Sequence, residues 1–137
     1  MAISTCLLQR PVRRAVDEAY ELMGWGIAYL KETSYTFTAE AHFRYLRELH
    51  AGMQVRVTLQ LIDFDAKRIH YFEQLCSRRG RLALGHVREH GAAHHKTAKK
   101  VVPFPDFISA RLAKVKAAHA HLPVPEGAGR RIAMPGK

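Results

Sequence analysis

The chain has 137 residues, enough for one compact domain and too few for two, and its 47% hydrophobic and 25% charged residues are an ordinary globular balance. No window approaches about 18 uninterrupted apolar residues, which argues against a membrane-spanning helix. Cys6 and Cys76 alone make neither a disulfide framework nor a zinc quartet.

The formal net charge of +10 raises the possibility of a nucleic-acid partner, but its distribution argues against one. Residues 1–16 carry three arginines and no acid, whereas residues 17–75 carry six basic and nine acidic side chains. The excess positive charge therefore lies at the start and after residue 75, outside the best-patterned part. Residues 1–9 are apolar but short and lack a basic start, so they do not read as a signal peptide. A reducing, cytoplasmic setting is expected.

Residues 12–32 predict a helix. Val16, Ala19, Tyr20, Met23, Ile27 and Leu30 recur at spacings of three and four, giving one apolar stripe with Asp17, Glu18 and Glu21 mostly off it. Gly24 and Gly26 weaken the second half, so the helix is expected to end or bend near Trp25. Residues 35–49 switch to a period of two. Phe37, Ala39, Ala41, Phe43 and Tyr45 point one way, and Thr36, Thr38, Glu40, His42 and Arg44 the other. A turn at residues 48–52 ends this strand. Residues 53–64 predict a second strand, residues 63–67 a polar hairpin turn, and residues 68–75 a third strand. Short turns between successive strands predict an antiparallel meander, with the preceding helix covering its apolar face.

After residue 75 the pattern weakens. Residues 77–80 form a plausible turn, and residues 81–87 predict a short fourth strand. Residues 89–100 mix His and Lys without a period and read as a mobile surface loop. Asp106 is a fair N-cap for a helix over residues 107–121, which Pro123 and Pro125 stop. Residues 123–137 are expected to form a loose tail.

One stretch is more particular than a generic strand: Ala39-Glu40-Ala41-His42-Phe43-Arg44-Tyr45-Leu46-Arg47-Glu48-Leu49-His50-Ala51-Gly52, followed by residues 55–70. It resembles hotdog-fold acyl-CoA thioesterases, and within them the proteins related to betainyl-CoA thioesterase. Val102-Pro103-Phe104-Pro105 and Leu122-Pro123-Val124-Pro125-Glu126-Gly127-Ala128-Gly129-Arg130 resemble the C-terminal end of that group. The resemblance covers roughly two-thirds of the chain. It implies an α+β hotdog fold: an antiparallel sheet wrapped around a long N-terminal helix, plus a C-terminal helix, in a single domain spanning residues 1–137. It also implies self-association through sheet edges, as a homodimer or tetramer, with the active site at the interface.

Two segments depart from the family pattern. The family's Asp-x-x-Gly-His-x-Asn turn, whose acid acts on the thioester, should fall in residues 1–14, which contain no Asp, Glu, Gly or His. No catalytic residue is therefore assigned. Residues 1–15 and 76–100 are atypical, through divergence or a shifted reading frame, so the N-terminal and last strands of the sheet are expected to be degenerate.

Glu40, His42, Arg44 and Tyr45 are the candidate substrate-binding residues. A His beside a carboxylate can position water, and Arg44 can pair with a phosphate or carboxylate. Tyr45 and Arg47 can assist, although packing alone accounts for Tyr45. Asp63 and Asp65 lie in a hairpin turn, where Asp is favoured for its own backbone contacts. His86, His90, His94 and His95 lack a carboxylate partner, so no metal site is expected, and no cofactor is expected either. Lys96, Lys99 and Lys100 suit a solvated loop or the phosphates of coenzyme A.

The first functional reading is hydrolysis of a short-chain, carnitine-derived (betainyl-type) acyl-CoA, weak or absent because the catalytic turn is missing. The second is a non-catalytic acyl-CoA-binding or dimerisation remnant of the same fold. The third is a small basic nucleic-acid-binding module, disfavoured because its aromatics lie on the apolar strand face or in the helix.

Overall fold

The structure is a computed structural model that describes residues 5–24, 26–32, 37–90 and 101–130, with 132 and 134. Its elements are α1 (Thr5–Met23), α2 (Ile27–Glu32), β1 (Phe37–Tyr45), β2 (Arg56–Phe64), β3 (Ile69–Ser77), β4 (Gly80–His90) and α3 (Asp106–His119). Four antiparallel strands form one sheet in the order β1-β4-β3-β2. Among the described residues, no helix is long and apolar enough to cross a membrane.

The helix break expected near Trp25 is present, and its chemistry is local. Gly24 takes φ 96°, which ends α1. Glu21 Oε1 then accepts the Ile27 amide at 3.1 Å, satisfying an open donor at the start of α2. A Cβ at Gly26 would collide with that carboxylate. At its other end α1 begins at Thr5, earlier than the apolar stripe predicts, and runs through Pro11. The N-terminal segment is therefore helix from Thr5, not a strand remnant.

The expected meander over the first three strands is not formed. β1 pairs with β4, and only β2, β3 and β4 run as consecutive neighbours. The reason lies in two connections. β3 and β4 are joined by a tight turn at Arg78-Arg79, with Ser77 opposite Gly80, so β4 must lie beside β3. The Leu46 amide then bonds Leu82 O at 2.8 Å, and Leu49, Leu75 and Leu82 pack together with Met53, Val55 and Val57 along the link from β1 to β2. Burying that link's apolar residues under one end of the sheet carries the chain past β4 and β3 to the far edge.

The last strand, expected to be short and degenerate, is an eleven-residue strand paired on both sides. Its small residues Ala83 and Gly85 weaken the period-two signal, while the backbone ladders on either side define it. Residues 91–100, read as a surface loop, lie outside the described residues.

The main core gathers α1, α3, β2 and β3. Tyr20, Met23, Leu61, Ile69, Tyr71, Phe104, Ile108 and Leu112 are buried together, with Val16, Ala19 and Leu59 packed against them. α3 also closes the outer edge of β2. His119 Nδ1 accepts the Leu61 amide at 3.0 Å, and Lys116 pairs with Asp63. An edge amide that would otherwise face solvent is thereby satisfied. The expected turn chemistry holds at Asp65, whose Oδ1 accepts the Lys67 and Arg68 amides at 2.8 Å each.

Leu112 is fully buried, so Leu112→Ala is expected to cost about 2–5 kcal/mol, read as a lower urea midpoint at an unchanged slope. Lys116 holds the Asp63 carboxyl below its ordinary range. The pair therefore stabilises the fold above the ordinary carboxylate pKa and is lost as the pH falls through the depressed one. Both side chains are well exposed, so Asp63→Asn should cost less than about 1 kcal/mol at neutral pH, and nothing once the wild-type carboxyl is protonated. Denaturant curves at the two pH values check this.

Candidate functional site

β1 is a sheet edge, and its two faces carry different chemistry. The cross-strand register aligns His42, His86, Phe72 and Gln60 in one row across all four strands on the outer face. Glu40 and Arg44 flank His42 on that face by strand alternation. Tyr45 lies on the opposite, inner face with Ala41 and Phe43. The sheet thus brings Glu40, His42 and Arg44 together and separates Tyr45 from them.

The segment read as a loose tail meets this outer face. Gln60 Nε2 donates to Pro123 O at 3.2 Å, and His42 Nδ1 donates to Arg130 O at 3.0 Å. Residues 123–130 are therefore tied to both ends of the row, and Phe72 in its middle is 2% exposed. Turns at Ala128→Pro125 and Arg130→Gly127 shape the strap. A Cβ at Gly127 (φ 94°) would lie 3.4 Å from Arg44 Nη1, so the strap passes directly beside Arg44.

A basic depression of about 370 Å³ lies at the end of the sheet bearing the β3–β4 turn. His50, Met53, Gln54, Ser77, Arg78 and Arg79 line it. Arg47 Nη1 donates to Arg79 O at 2.8 Å, which fixes this rim. Several N–H donors around an open hollow suit an anion such as a phosphate. Among the described residues no three His, Cys, Asp or Glu side chains converge on a metal position. His90 ends β4, and His94 and His95 lie outside the described residues. Cys76 is a half-buried free thiol.

The inner face carries a residue that reading the sequence missed. Ile69, Tyr71, Glu73 and Leu75 alternate along β3, and Glu73 is the odd member. It is 3% exposed, and it is the one buried charged residue among those described. Its Oε1 is buried without a hydrogen-bond partner. Burial raises its pKa from 4.5 to about 7. Burial, and then the Glu73 charge, push the Tyr71 hydroxyl far above the ordinary phenol range. The available signal was a single acid interrupting an apolar period-two series.

Glu73 sits at a seam. Tyr71, one step along the strand on the same face, belongs to the main core, and Leu75 belongs to the smaller cluster. Across the sheet its row reads Leu59, Glu73, Gly85, Phe43. The helices pack over the β2 side of this row, whereas Phe43 and Tyr45 on β1 are 42% and 52% exposed.

The raised Glu73 pKa means that the folded state binds this proton more tightly than the unfolded chain. Stability should therefore fall as the pH rises from about 4.5 through about 7, and level off above. The loss between about pH 5 and about pH 8 is on the order of 3 kcal/mol. Glu73→Gln should abolish that part of the slope. Urea titrations of both proteins at the two pH values measure it, and parallel behaviour would refute the assignment.

The sequence matches the thioesterase-like superfamily over residues 8–112. It is 36% identical over 100 residues to the betainyl-CoA thioesterase of Pseudomonas aeruginosa, covering 72% of this chain and 62% of that protein. It is 35% identical over 123 residues to the L-carnitine dehydrogenase/betainyl-CoA thioesterase of Ruegeria pomeroyi, covering 88% of this chain and 24% of that protein. The chain thus spans about a quarter of the fused relative and under two-thirds of the stand-alone one. A Staphylococcus aureus protein solved in complex with CoA superposes with a TM-score of 0.88 at 25% identity, over 98% of this chain and 85% of that one. With its α+β hotdog architecture and a match over most of its length, the chain belongs to the thioesterase-like superfamily.

Proposed function

We propose that this chain hydrolyses the thioester of a short acyl-CoA, with a betainyl-type acyl group as the preferred substrate. The observation that carries the reading is the 36% identity, over 100 residues, to a protein named betainyl-CoA thioesterase. The superposition on a CoA-bound structure supports coenzyme A as the carrier. The charge distribution adds support. The depression at Arg78 and Arg79 suits coenzyme A phosphates, and it lies about 13 Å along β3 from Glu73, four residues at about 3.3 Å each. A pantetheine arm can span that distance.

In this reading Glu40, His42, Arg44 and Tyr45 contact acyl-CoA from the two faces of β1. Arg44 pairs with a phosphate or carboxylate, His42 and Glu40 order water or a polar acyl group, and Tyr45 offers its ring from the inner face. Two chains pair along their β1 edges so that both sheets continue into one. The position of β1 at the sheet edge, with exposed Phe43 and Tyr45 beside it, supports that edge as the contact. The reducing cytoplasm is the proposed compartment, where Cys76 stays a free thiol.

Thiol release from betainyl-CoA, acetyl-CoA and butyryl-CoA tests the reading. Turnover of at least one is expected, and no release from any of them refutes it. Arg44→Ala should raise KM for acyl-CoA by about tenfold, the loss of one charge-assisted contact. Size-exclusion chromatography with light scattering should return twice the 15.5 kDa chain mass.

A further inference from the structure

The N-terminal segment supplies no carboxylate for thioester hydrolysis, since residues 1–14 contain no acid. The chain nevertheless buries one carboxyl group on the inner face, and its setting is not that of a structural ion pair. Glu73 Oε1 has no hydrogen-bond partner, whereas Asp17, Glu18, Glu21, Glu40, Glu48, Asp63, Asp65, Asp106 and Glu126 are solvent-exposed. An unpartnered buried acid costs stability, and a plain core would carry an apolar residue at this alternating position.

The row across the sheet provides a place for a substrate. Gly85 separates Glu73 from Phe43. Neighbouring strands lie about 4.8 Å apart, so roughly 10 Å separates the Glu73 and Phe43 backbones, and Gly85 between them contributes no side chain of its own. The inner face is uncovered from Phe43 outward, where Ala41, Phe43 and Tyr45 are exposed. A thioester can lie along this gap with its carbonyl carbon toward β3.

We propose that Glu73 is the general base for thioester hydrolysis, acting on a water held over Gly85 between its carboxylate and the thioester carbonyl. The proposal rests on the thioesterase reading above. The Glu73 carboxylate removes a proton from water as the water oxygen bonds to the carbonyl carbon. The C–S bond of the tetrahedral intermediate then breaks, and the protonated Glu73 returns its proton to the departing thiolate. One water is consumed, and a free acid and coenzyme A thiol are formed.

Among the described side chains of the inner face, Glu73 is the one carboxyl group. β2 presents Val57, Leu59 and Leu61 to this face, and β4 presents Ala83 and Gly85. α1 brings Val16, Ala19, Tyr20 and Met23 to the adjoining core, with its Arg13, Arg14, Asp17, Glu18 and Glu21 exposed. α3 brings Ile108, Leu112 and Val115. Tyr20, Tyr29, Tyr45 and Tyr71 are the other titratable groups with described side chains on this side, all of them phenols, and the Tyr71 hydroxyl stays protonated. A carboxyl with its pKa near 7 matches a base that works at neutral pH.

The experiment compares wild type, Glu73→Gln and Glu73→Asp in thiol release across about pH 5 to about pH 9, with the fold of each checked by circular dichroism. In the wild type, log(kcat/KM) should rise with unit slope to a plateau near pH 7. Glu73→Gln should lose about 100- to 10,000-fold in kcat with KM little changed. Glu73→Asp should keep partial turnover with its inflection moved. A folded Glu73→Gln that hydrolyses within about threefold of wild type, or keeps the same inflection, overturns the proposal while leaving the thioesterase reading intact. If Glu73→Gln does not fold, an unmoved inflection in Glu73→Asp overturns it. A wild type that releases no thiol overturns both, and is distinguished by the behaviour of the wild type alone.

Discussion

The Leu61 amide donates to His119 Nδ1 across the outer edge of β2, and the asymmetry of the molecule follows from that bond. A four-stranded sheet has two edges, each a row of backbone groups that need partners. Here α3 closes one edge through His119 and the Lys116–Asp63 pair, and buries Ile108 and Leu112 against the same strands. The apolar material of both long helices is thereby concentrated over β2 and β3. β1 is left at the other edge, with its inner aromatics uncovered and its outer polar residues under the strap. One half of the sheet is built as core and the other half as surface for something else.

That division gives Glu73 its meaning. On the solvated half a carboxylate would be one more surface charge. Within the packed half it would be a pure cost, since an ionised group loses its hydration there and gains no partner. It stands at the boundary, beside the residue with no side chain, where the cost can be offset by chemistry on a bound ligand. His42 and Arg44 show the opposite arrangement. They are polar residues on a polar face, and the neighbours now on them are backbone atoms of the strap rather than a core.

The strap changes how the outer face works. Pro123 and Arg130 carbonyls accept from Gln60 and His42, so a segment rich in Gly and Pro becomes ordered by side chains on the two edge strands of the sheet. A short polar tail has too little apolar surface to order itself. Its turns at Gly127 and Gly129, both at positive φ, let it follow the sheet closely beside Arg44.

Local periodicity by itself determined the element types: the stripe from Val16 to Met23 specified a helix, the alternation from Ala41 to Tyr45 a strand with unlike faces, and Gly24 with Gly26 the break between helices. These are properties of residues close in sequence, so they are legible without a fold, and the run from Ala39 to Gly52 was particular enough to carry the family. Tertiary structure decided what depends on partners distant in the chain. Neither the pairing of β1 with β4 nor the full length of β4 could be read locally, because Ala83 and Gly85 carry little hydrophobic signal and the ladder bonds join backbones, which every sequence shares. Likewise, Glu73 looked like an ordinary charge in the sequence. Its buried position beside Gly85 exists only once β4 is laid between β3 and β1, because desolvation is set by what packs around a group and not by its neighbours along the chain.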